Sequence, residues 1–545
     1  MNKPLVVQSD FTIMLEVSHP QFDEVMRELI KFSEIYQSPD TLYIFKITNL
    51  SIWNAIAMKV TKDYIFGVLE KYSQYSLPIE VISQIKEWYL SYGEVTLEEN
   101  SESKHLLKVS GNLKEEIKKI KGIEKYLGSE TNNGFLIDYN KRGEIKSILM
   151  KKDIPVQDNL KITKGISLPF SINKYIMGTN KEIIIRDYQG DASSSVYSAG
   201  NGTVVLPCGS GKTIVGVDLM NLCQTSTIIV TNSNASVKQW KKTLLAFTSL
   251  TEKEVGVYSS KSKEIKPVTI LTYNMLAYKY KGEFIHFKKI MNYNFGLLIC
   301  DEVHLMPAQM FRIVSSLQAL VRLALTATFV REDGREKDIF TLIGPKRYDK
   351  PWKDLEARGY IARITLQEVR VPMSLKDRER YNNATSVQEK FEIASTAENK
   401  TIVVKQLMER HKGAKILIIG QFTKHLIDLA KELGVDCVYG NSTDAEREAC
   451  YDAMRDDKIN VLVASKIANA ALDIPSISVI IQVSFLYGSR NEEAQRVGRA
   501  TRPKKDPAFF YTLVSKDTKE EAYNCNRQVF LTGEGYKYEI KEMAA

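Results

Sequence analysis

Short continuous apolar runs separated by amphipathic stretches dominate the chain beyond Ile183. Thr203-Val-Val-Leu206, Thr227-Ile-Ile-Val230, Val268-Thr-Ile-Leu271, Leu297-Leu-Ile-Cys300 and Leu323-Ala-Leu325 each read as a strand buried on both faces. Strands of that kind belong to parallel sheets covered by helices on either side. The pattern returns at Lys415-Ile-Leu-Ile-Ile419, Cys437-Val-Tyr439, Val461-Leu-Val-Ala464 and Val479-Ile-Ile-Gln482. The expected fold class is therefore α/β, with two doubly wound parallel-sheet domains meeting between Gly344 and Pro372.

The first part of the chain is patterned differently. Leu5-Val-Val and Phe11–Val17 predict strands, whereas Pro20–Tyr36 and Ser51–Met58 carry apolar residues at helical spacing. A helix from Thr61 to about Tyr75 is followed by one opened by Pro78 and stopped at Gly93, and then by the strand Glu94-Val-Thr-Leu97. That order fits a winged-helix unit or a compact α/β interaction module. Asn100–Phe170 is rich in lysine, and the run Lys114–Lys121 reads as a solvated helix face or a DNA-facing one. Asn132-Asn-Gly134 signals a hairpin, so a second small domain is expected here.

Composition narrows the class without deciding it. A 545-residue chain is too long for one core, and 44% hydrophobic with 26% charged residues is ordinary for a globular protein. The net charge of +9, from 75 basic and 66 acidic residues, leans towards a polyanionic partner. The segment after Met1 contains Asp10 and no uninterrupted apolar stretch, which predicts neither signal peptide nor membrane span and a cytoplasmic location. The six cysteines form no CxxC pair, which disfavours a disulfide framework, a zinc site or an iron–sulfur cluster.

Three distant segments carry the chemistry. Gly209-Ser-Gly-Lys-Thr213 follows a strand and opens a helical pattern, as a phosphate-binding loop does. Gly209, Ser210 and Gly211 would bring backbone N–H groups to the phosphates, Lys212 would reach the β/γ-phosphates and Thr213 would bind magnesium. The strict pattern asks for glycine where this chain has Leu206. Leu297–His304 delivers Asp301, able to hold magnesium through water, and Glu302, able to polarise the attacking water as general base. In the second sheet domain Arg499 and Arg502 are spaced one helical turn apart, suited to act as arginine fingers, and Gln495 shares their face. Together the segments describe an ATPase using ATP and Mg2+.

At these residues the chain resembles superfamily 2 helicases and, within them, the XPB family. Val205-Leu-Pro-Cys-Gly-Ser-Gly-Lys-Thr213 looks like that family's motif I, so the resemblance accounts for Leu206. Ile185-Arg-Asp-Tyr-Gln189 is similar to the adenine-reading segment, implying nucleotide contacts from Arg186 and Gln189. Ser233–Trp240 resembles motif Ia, Asp301–His304 motif II, Asn469–Pro475 motif V and Gln495–Arg502 motif VI; motif V implies Asp473 at the nucleotide. Leu325–Asp333 joins a coupling motif, Thr326-Ala-Thr328, to an Arg-Glu-Asp element, Arg331, Glu332 and Asp333, implied to assist strand separation. His304 would couple nucleotide to the DNA-binding motifs. Pro4–Asp10, Lys46–Ala55 and Leu77–Glu80 look like the family's N-terminal domain, and Phe510–Thr518 with Gly535–Tyr538 like the C-terminal end of bacterial members.

The resemblance implies four parts: an N-terminal domain over 1–97, a small damage-recognition-like domain over 98–182, and RecA-like domains over 183–350 and 351–545. A thumb-like insertion would lie at 374–400, although Ser374–Lys400 holds five basic and five acidic side chains and is no basic clamp by charge. The implied activity is an ATP-driven DNA helicase or translocase of 3′→5′ polarity acting in repair. Its implied partners are double-stranded, forked or damaged DNA and a partner nuclease where one exists; no membrane is implied, and the free protein would be a monomer. Thr231, Trp240, Thr272, Gln421 and Ser465 are the expected DNA contacts, with Trp240 readable equally as a core residue. A duplex translocase that remodels DNA–protein complexes, a nucleotide-switched damage scaffold and an RNA helicase remain open as alternatives.

Overall fold

The apolar runs between Thr203 and Leu325 all become strands of one seven-stranded sheet. In spatial order it is Val255–Val257, Val268–Thr272, Thr227–Thr231, Leu297–Asp301, Val321–Thr326, Asn201–Val205 and Lys346–Asp349. Every pair in it is parallel. Each residue of Thr227–Thr231, Leu297–Asp301 and Val321–Thr326 is buried, because helices cover both faces. Ile228, Val230, Leu271, Leu298, Cys300 and Ala324 meet in a core cluster against it. Parallel strands place all their C-terminal ends on one edge, and the loops that follow them build the candidate site.

The computed structural model describes residues 3–37, 41–100, 104–111, 113–138, 141–160, 165–281, 284–306, 314, 317, 319–328, 336–465, 474, 476–485, 490–502 and 506–543. They divide into two compact units, one built mainly from residues before Lys350 and one from Lys350 onwards. The second unit has its own seven-stranded parallel sheet, ordered Asp436–Val438, Val461–Ser465, Ile416–Gly420, Val479–Gln482, Ala508–Ser515, Ile364–Val371 and Tyr538–Glu542. Within 374–400 lie two helices, Leu375–Asn383 and Val387–Ser395, packed together through Tyr381, Ala384, Ile393 and Ala394. Arg378 donates to the carbonyls of Lys516 and Asp517, and Arg380 to Asp377.

Two small sheets precede the first parallel one. Leu5–Val7, Thr12–Glu16, Leu42–Lys46 and Glu34–Gln37 form the first, backed by helices Asn49–Ala57, Lys62–Tyr72 and Ile79–Ser91. The helical pattern expected over Pro20–Tyr36 ends at Leu29, and Glu34–Gln37 is an edge strand. Val95–Glu99 does not complete a winged-helix unit. It pairs with Lys104–Val109 in a separate five-stranded sheet, with Val95 and Leu97 in that sheet's own core. A boundary at residue 97 therefore falls inside a strand. The hairpin at Asn132-Asn-Gly134 joins Leu127–Thr131 to Gly134–Asp138. Residues 165–183 leave this sheet and hydrogen-bond along the first parallel domain, Leu168 N–H to the Gln224 carbonyl and Asn173 N–H to that of Phe247.

Asp158 ties these parts together. Its carboxylate lies 3.1 Å from Lys146 Nζ and 3.0 Å from Arg322 Nη2, with Arg142 Nη1 at 3.9 Å, all in the interior. Arg322 stands on a strand of the parallel sheet, whereas Arg142, Lys146 and Asp158 belong to the five-stranded domain. Trp53, Leu50, Met150 and Phe340 form a further apolar contact between the small domains and the helix Glu336–Leu342.

Candidate functional site

Strand Asn201–Val205 leads through the loop Leu206–Gly211 into helix Lys212–Cys223. Leu206 is fully buried, and its N–H donates to the Thr326 carbonyl, extending the strand pairing. A glycine there would forfeit that packing, which is the local reason for leucine. Gly209 and Gly211 adopt φ of 80° and 85°, the left-handed region that turns successive N–H groups towards one concavity. The Lys212 ammonium lies 3.4 Å from the Leu206 carbonyl and 3.4 Å from Glu302 Oε1. Thr213 is half-buried in the first helical turn.

Arg186 caps helix Asp187–Ala199, and its N–H donates to Gln189 Oε1 at 3.0 Å. That bond holds the Gln189 amide against the loop, where a Cβ on Gly211 would meet Gln189 Nε2 at 2.5 Å. Gly211→Ala thus combines a strained φ with a clash. It is expected to weaken ATP affinity about tenfold or more, measured with a fluorescent nucleotide, while leaving the melting temperature within a few degrees.

Asp301 ends strand Leu297–Asp301, and Glu302 follows in the left-handed conformation at φ 49°. This unusual geometry turns the chain sharply and points two consecutive carboxylates to the same edge. Trp240 Nε1 donates to Asp301 Oδ2 at 2.8 Å, and the Glu302 N–H to Oδ1 at 3.0 Å. Burial, with the Glu302 charge adding to it, pushes Asp301 up to about 6. A nearby cation would reverse that shift, and an oxygen-donor set of Asp301 and Thr213 suits Mg2+, which keeps waters and phosphate oxygens as its other ligands. His304 Nδ1 lies 2.8 Å from Thr326 Oγ1 and 3.5 Å from Glu302 Oε2. Thr326 Oγ1 in turn donates to the Thr328 carbonyl. A polar series therefore runs from Lys212 through Glu302 and His304 to the Thr326-Ala-Thr328 segment, its Glu302–His304 step a 3.5 Å approach that becomes an ion pair when His304 is protonated.

In the second unit, helix Arg490–Ala500 leaves Gln495 and Arg499 partly exposed on one face. The helix stops at Ala500, so Arg502 is not one helical turn from Arg499 as its spacing suggests; it lies in the segment beyond. Arg496, between them in sequence, is fully buried and donates to Gln482 Oε1 and Glu492 Oε1. Asp473, Arg331, Glu332 and Asp333 lie outside the described residues.

Three of the expected DNA contacts need correction. Trp240 is 1% exposed and spends its N–H on Asp301, so its ring is core and its polar atom a positioning group for the carboxylate. Thr231 is fully buried and Ser465 4% exposed, each at the end of a central strand. Their side chains have no surface to offer a strand of DNA. Thr272 is half-buried and caps helix Tyr273–Ala277, and Gln421 is half-buried after strand Ile416–Gly420. Sequence reasoning missed Tyr273, whose hydroxyl donates to the Asp301 carbonyl from inside the core. A tyrosine after a threonine carries no signal of that partner.

Comparison with known proteins now decides the family. Residues 355–544 match the family described as ERCC3/RAD25/XPB C-terminal helicase. Residues 5–132 match a helicase conserved C-terminal domain, and 182–331 the type III restriction enzyme res subunit. The chain is 40% identical to the DNA 3'-5' helicase XPB of Mycobacterium tuberculosis, covering 99% of this chain and 98% of that protein. It belongs to the XPB helicase family. The DNA 3'-5' helicase XPB of Kineococcus radiotolerans is 41% identical over 98% of the chain and 96% of its own length. The general transcription and DNA repair factor IIH helicase/translocase subunit XPB of Enterocytozoon bieneusi is 32% identical over 98% of the chain and 92% of its own. Residues 133–181, which none of the three models covers, thus fall within end-to-end matches to XPB proteins. Both parallel sheets are of the RecA-like helicase type that XPB membership implies.

Proposed function

We propose that this XPB-family chain is an ATP- and Mg2+-dependent DNA helicase of 3′→5′ polarity acting in DNA repair. The end-to-end identity of 40% to a protein named DNA 3'-5' helicase XPB carries the reading. The polar series from Lys212 to Thr328 supports it, because it links the phosphate loop and Glu302 to the Thr326-Ala-Thr328 segment on a neighbouring strand end. Lys212 steadies the β/γ-phosphates, Thr213 and Asp301 hold the magnesium, and Glu302 takes the proton of the attacking water. Magnesium supplies charge neutralisation at the phosphates. Arg186, Gln189, Asp473 and Gln495 are assigned to nucleotide, Arg499 and Arg502 to γ-phosphate charge, and Arg331, Glu332 and Asp333 to strand separation. Loss or gain of γ-phosphate at Glu302 reaches Thr326 through His304, which offers a route from hydrolysis to DNA movement.

The DNA is assigned as duplex, forked or damaged, the free protein as a monomer in the cytoplasm, and a partner nuclease is compatible with the reading. Among the described residues no helix is long and apolar enough to cross a membrane. Translocation on duplex without unwinding is a second reading, favoured by the helix pair in 374–400: its charges balance, and Arg378 is engaged by backbone carbonyls rather than presented as a grip. A fluorophore–quencher duplex separates the two. Unwinding of a 3′-tailed substrate at least about tenfold faster than a 5′-tailed one supports the helicase. Removal of a protein roadblock without strand separation supports the translocase, and neither activity with ATP present overturns both.

A further inference from the structure

Residues 258–291 contain seven lysines and two glutamates, so this one segment contributes +5 of the chain's net charge of +9. Its stretch Tyr278-Lys-Tyr-Lys281 turns two large rings to solvent, with Tyr278 51% and Tyr280 56% exposed. Single exposed tyrosines occur elsewhere in the chain, but two such rings one residue apart among lysines make a surface that is both apolar and cationic. The surface is also fixed in place. The Tyr278 ring leans on His286 with centroids 5.4 Å apart and planes at 34°. The His286 ring is held in turn by the Tyr258 hydroxyl, 3.0 Å from Nδ1, and by Lys263 Nζ, 3.1 Å from Nε2. Lys289 Nζ reaches the Lys263 carbonyl at 3.1 Å. Burial, Lys263 and Lys289 all lower the His286 pKa. Lys279 lies over the Phe284 ring and Lys281 over that of Tyr280. Among the described residues none of Lys263, Lys279, Lys281 and Lys289 forms an ion pair.

The platform shares the functional edge of the sheet but not the nucleotide cradle. Tyr258 follows strand Val255–Val257, and Tyr278 follows strand Val268–Thr272 and its short helix, both beyond C-terminal strand ends. Four strand intervals separate Val268–Thr272 from Asn201–Val205, the strand that feeds the phosphate loop. At about 4.8 Å per interval that is roughly 19 Å.

We propose that Tyr278 and Tyr280, ringed by Lys263, Lys279, Lys281 and Lys289, form a stacking platform for single-stranded DNA. The proposal rests on the helicase reading, which supplies the separated strand. Unpaired bases offer faces to the two rings, and phosphates supply the anions that the lysines lack. Duplex DNA keeps its bases stacked inside, so the rings favour single strands. An acidic peptide would answer the charge but leave the rings uncovered.

The test is fluorescence anisotropy on the full chain with a labelled oligothymidylate and a blunt duplex of equal length. The Tyr278→Ala, Tyr280→Ala double variant should bind the single strand about tenfold more weakly or worse, with duplex affinity within about threefold. The Tyr278→Phe, Tyr280→Phe variant should bind like wild type, since the ring and not the hydroxyl stacks. The Lys279→Gln, Lys281→Gln variant, which leaves both rings in place, should flatten the slope of log K against log salt by about 1.4. Wild-type affinity in the alanine variant, equal loss in the phenylalanine variant, or displacement of the strand by polyglutamate as readily as by unlabelled oligothymidylate would each overturn the platform alone. A wild-type protein that binds neither DNA would overturn the helicase reading with it.

Discussion

Glu302→Gln is expected to slow ATP hydrolysis by at least about 100-fold while ATP still binds. The glutamine has the shape of the glutamate and can still meet Lys212 and His304, which lie 3.4 and 3.5 Å from the carboxylate oxygens. What it lacks is a lone pair basic enough to take a proton from water. General-base contributions of that kind are worth about 10²–10⁴ in rate. Single-turnover hydrolysis separates the chemical step from product release, and fluorescent-nucleotide titration reports binding. A loss below about tenfold would take the base role from Glu302. A loss of binding equal to the loss of rate would make it a ligand-positioning residue instead.

Asp158→Asn is expected to destabilise the first unit by about 3–5 kcal/mol, enough to threaten folding at 37 °C. Three cations face one carboxylate in the interior, where Lys146, Arg142, Arg322 and Asp158 are each 2–4% exposed at the side chain. Burial alone would raise the Asp158 pKa, but Lys146, Arg322 and Arg142 outweigh it and hold the carboxyl well below its usual range. Lys146 also moves down, but for an ammonium that disfavours the charged form. Burial lowers it to about 8, with Arg322 and Arg142 opposing its charge as Asp158 supports it. The same downward direction favours the charged form of Asp158 and disfavours that of Lys146, because Asp158 gains from Lys146, Arg322 and Arg142 while Lys146 gains from Asp158 against burial and two neighbouring cations. Removing the anion strands the cations; removing Lys146 relieves a surplus charge. Lys146→Met is therefore expected to be neutral or stabilising in chemical denaturation. The pH dependence follows the same logic. Between about pH 8 and the ordinary lysine value the unfolded chain holds a proton at Lys146 that the folded chain has released, so this group's contribution to stability rises with pH across that window. Lys146→Met should lose that rise, read as a smaller difference in stability between pH 7.5 and pH 9.5. Equal destabilisation by both substitutions would contradict the account of the cluster.

The parts of the fold that the sequence displayed are those where burial on both faces forces unbroken apolar runs. Thr227–Thr231, Leu297–Asp301 and Ile416–Gly420 are of that kind. Edge strands were hidden, because one open side relaxes the requirement: Lys346–Asp349 and Tyr538–Glu542 read as polar segments. Ile364–Val371 is paired on both sides in its sheet yet contains buried Gln367 and Glu368, tolerated because Arg370, Asn524, Gln528 and Glu539 satisfy them. Those partners lie up to 172 residues away, beyond any local pattern. The candidate site followed the same rule. Gly209, Lys212, Asp301 and Glu302 were visible because phosphate and metal chemistry confine residue type and spacing. Trp240, Tyr273 and Arg496 act through hydrogen bonds closed only by tertiary packing, so the sequence could show their identity but not their work. The helical spacing of Arg502 was misjudged for a simpler reason: Pro503, which disfavours helix at the residue before it, already signalled an end ahead of Arg502.

The most direct test of a DNA-driven ATPase is the hydrolysis rate with no nucleic acid and then with single-stranded, double-stranded and forked DNA, Glu302→Gln serving as the blank. The account predicts strong stimulation by at least one DNA form and its disappearance in the variant. Hydrolysis indifferent to every DNA form, or unchanged by Glu302→Gln, would contradict it.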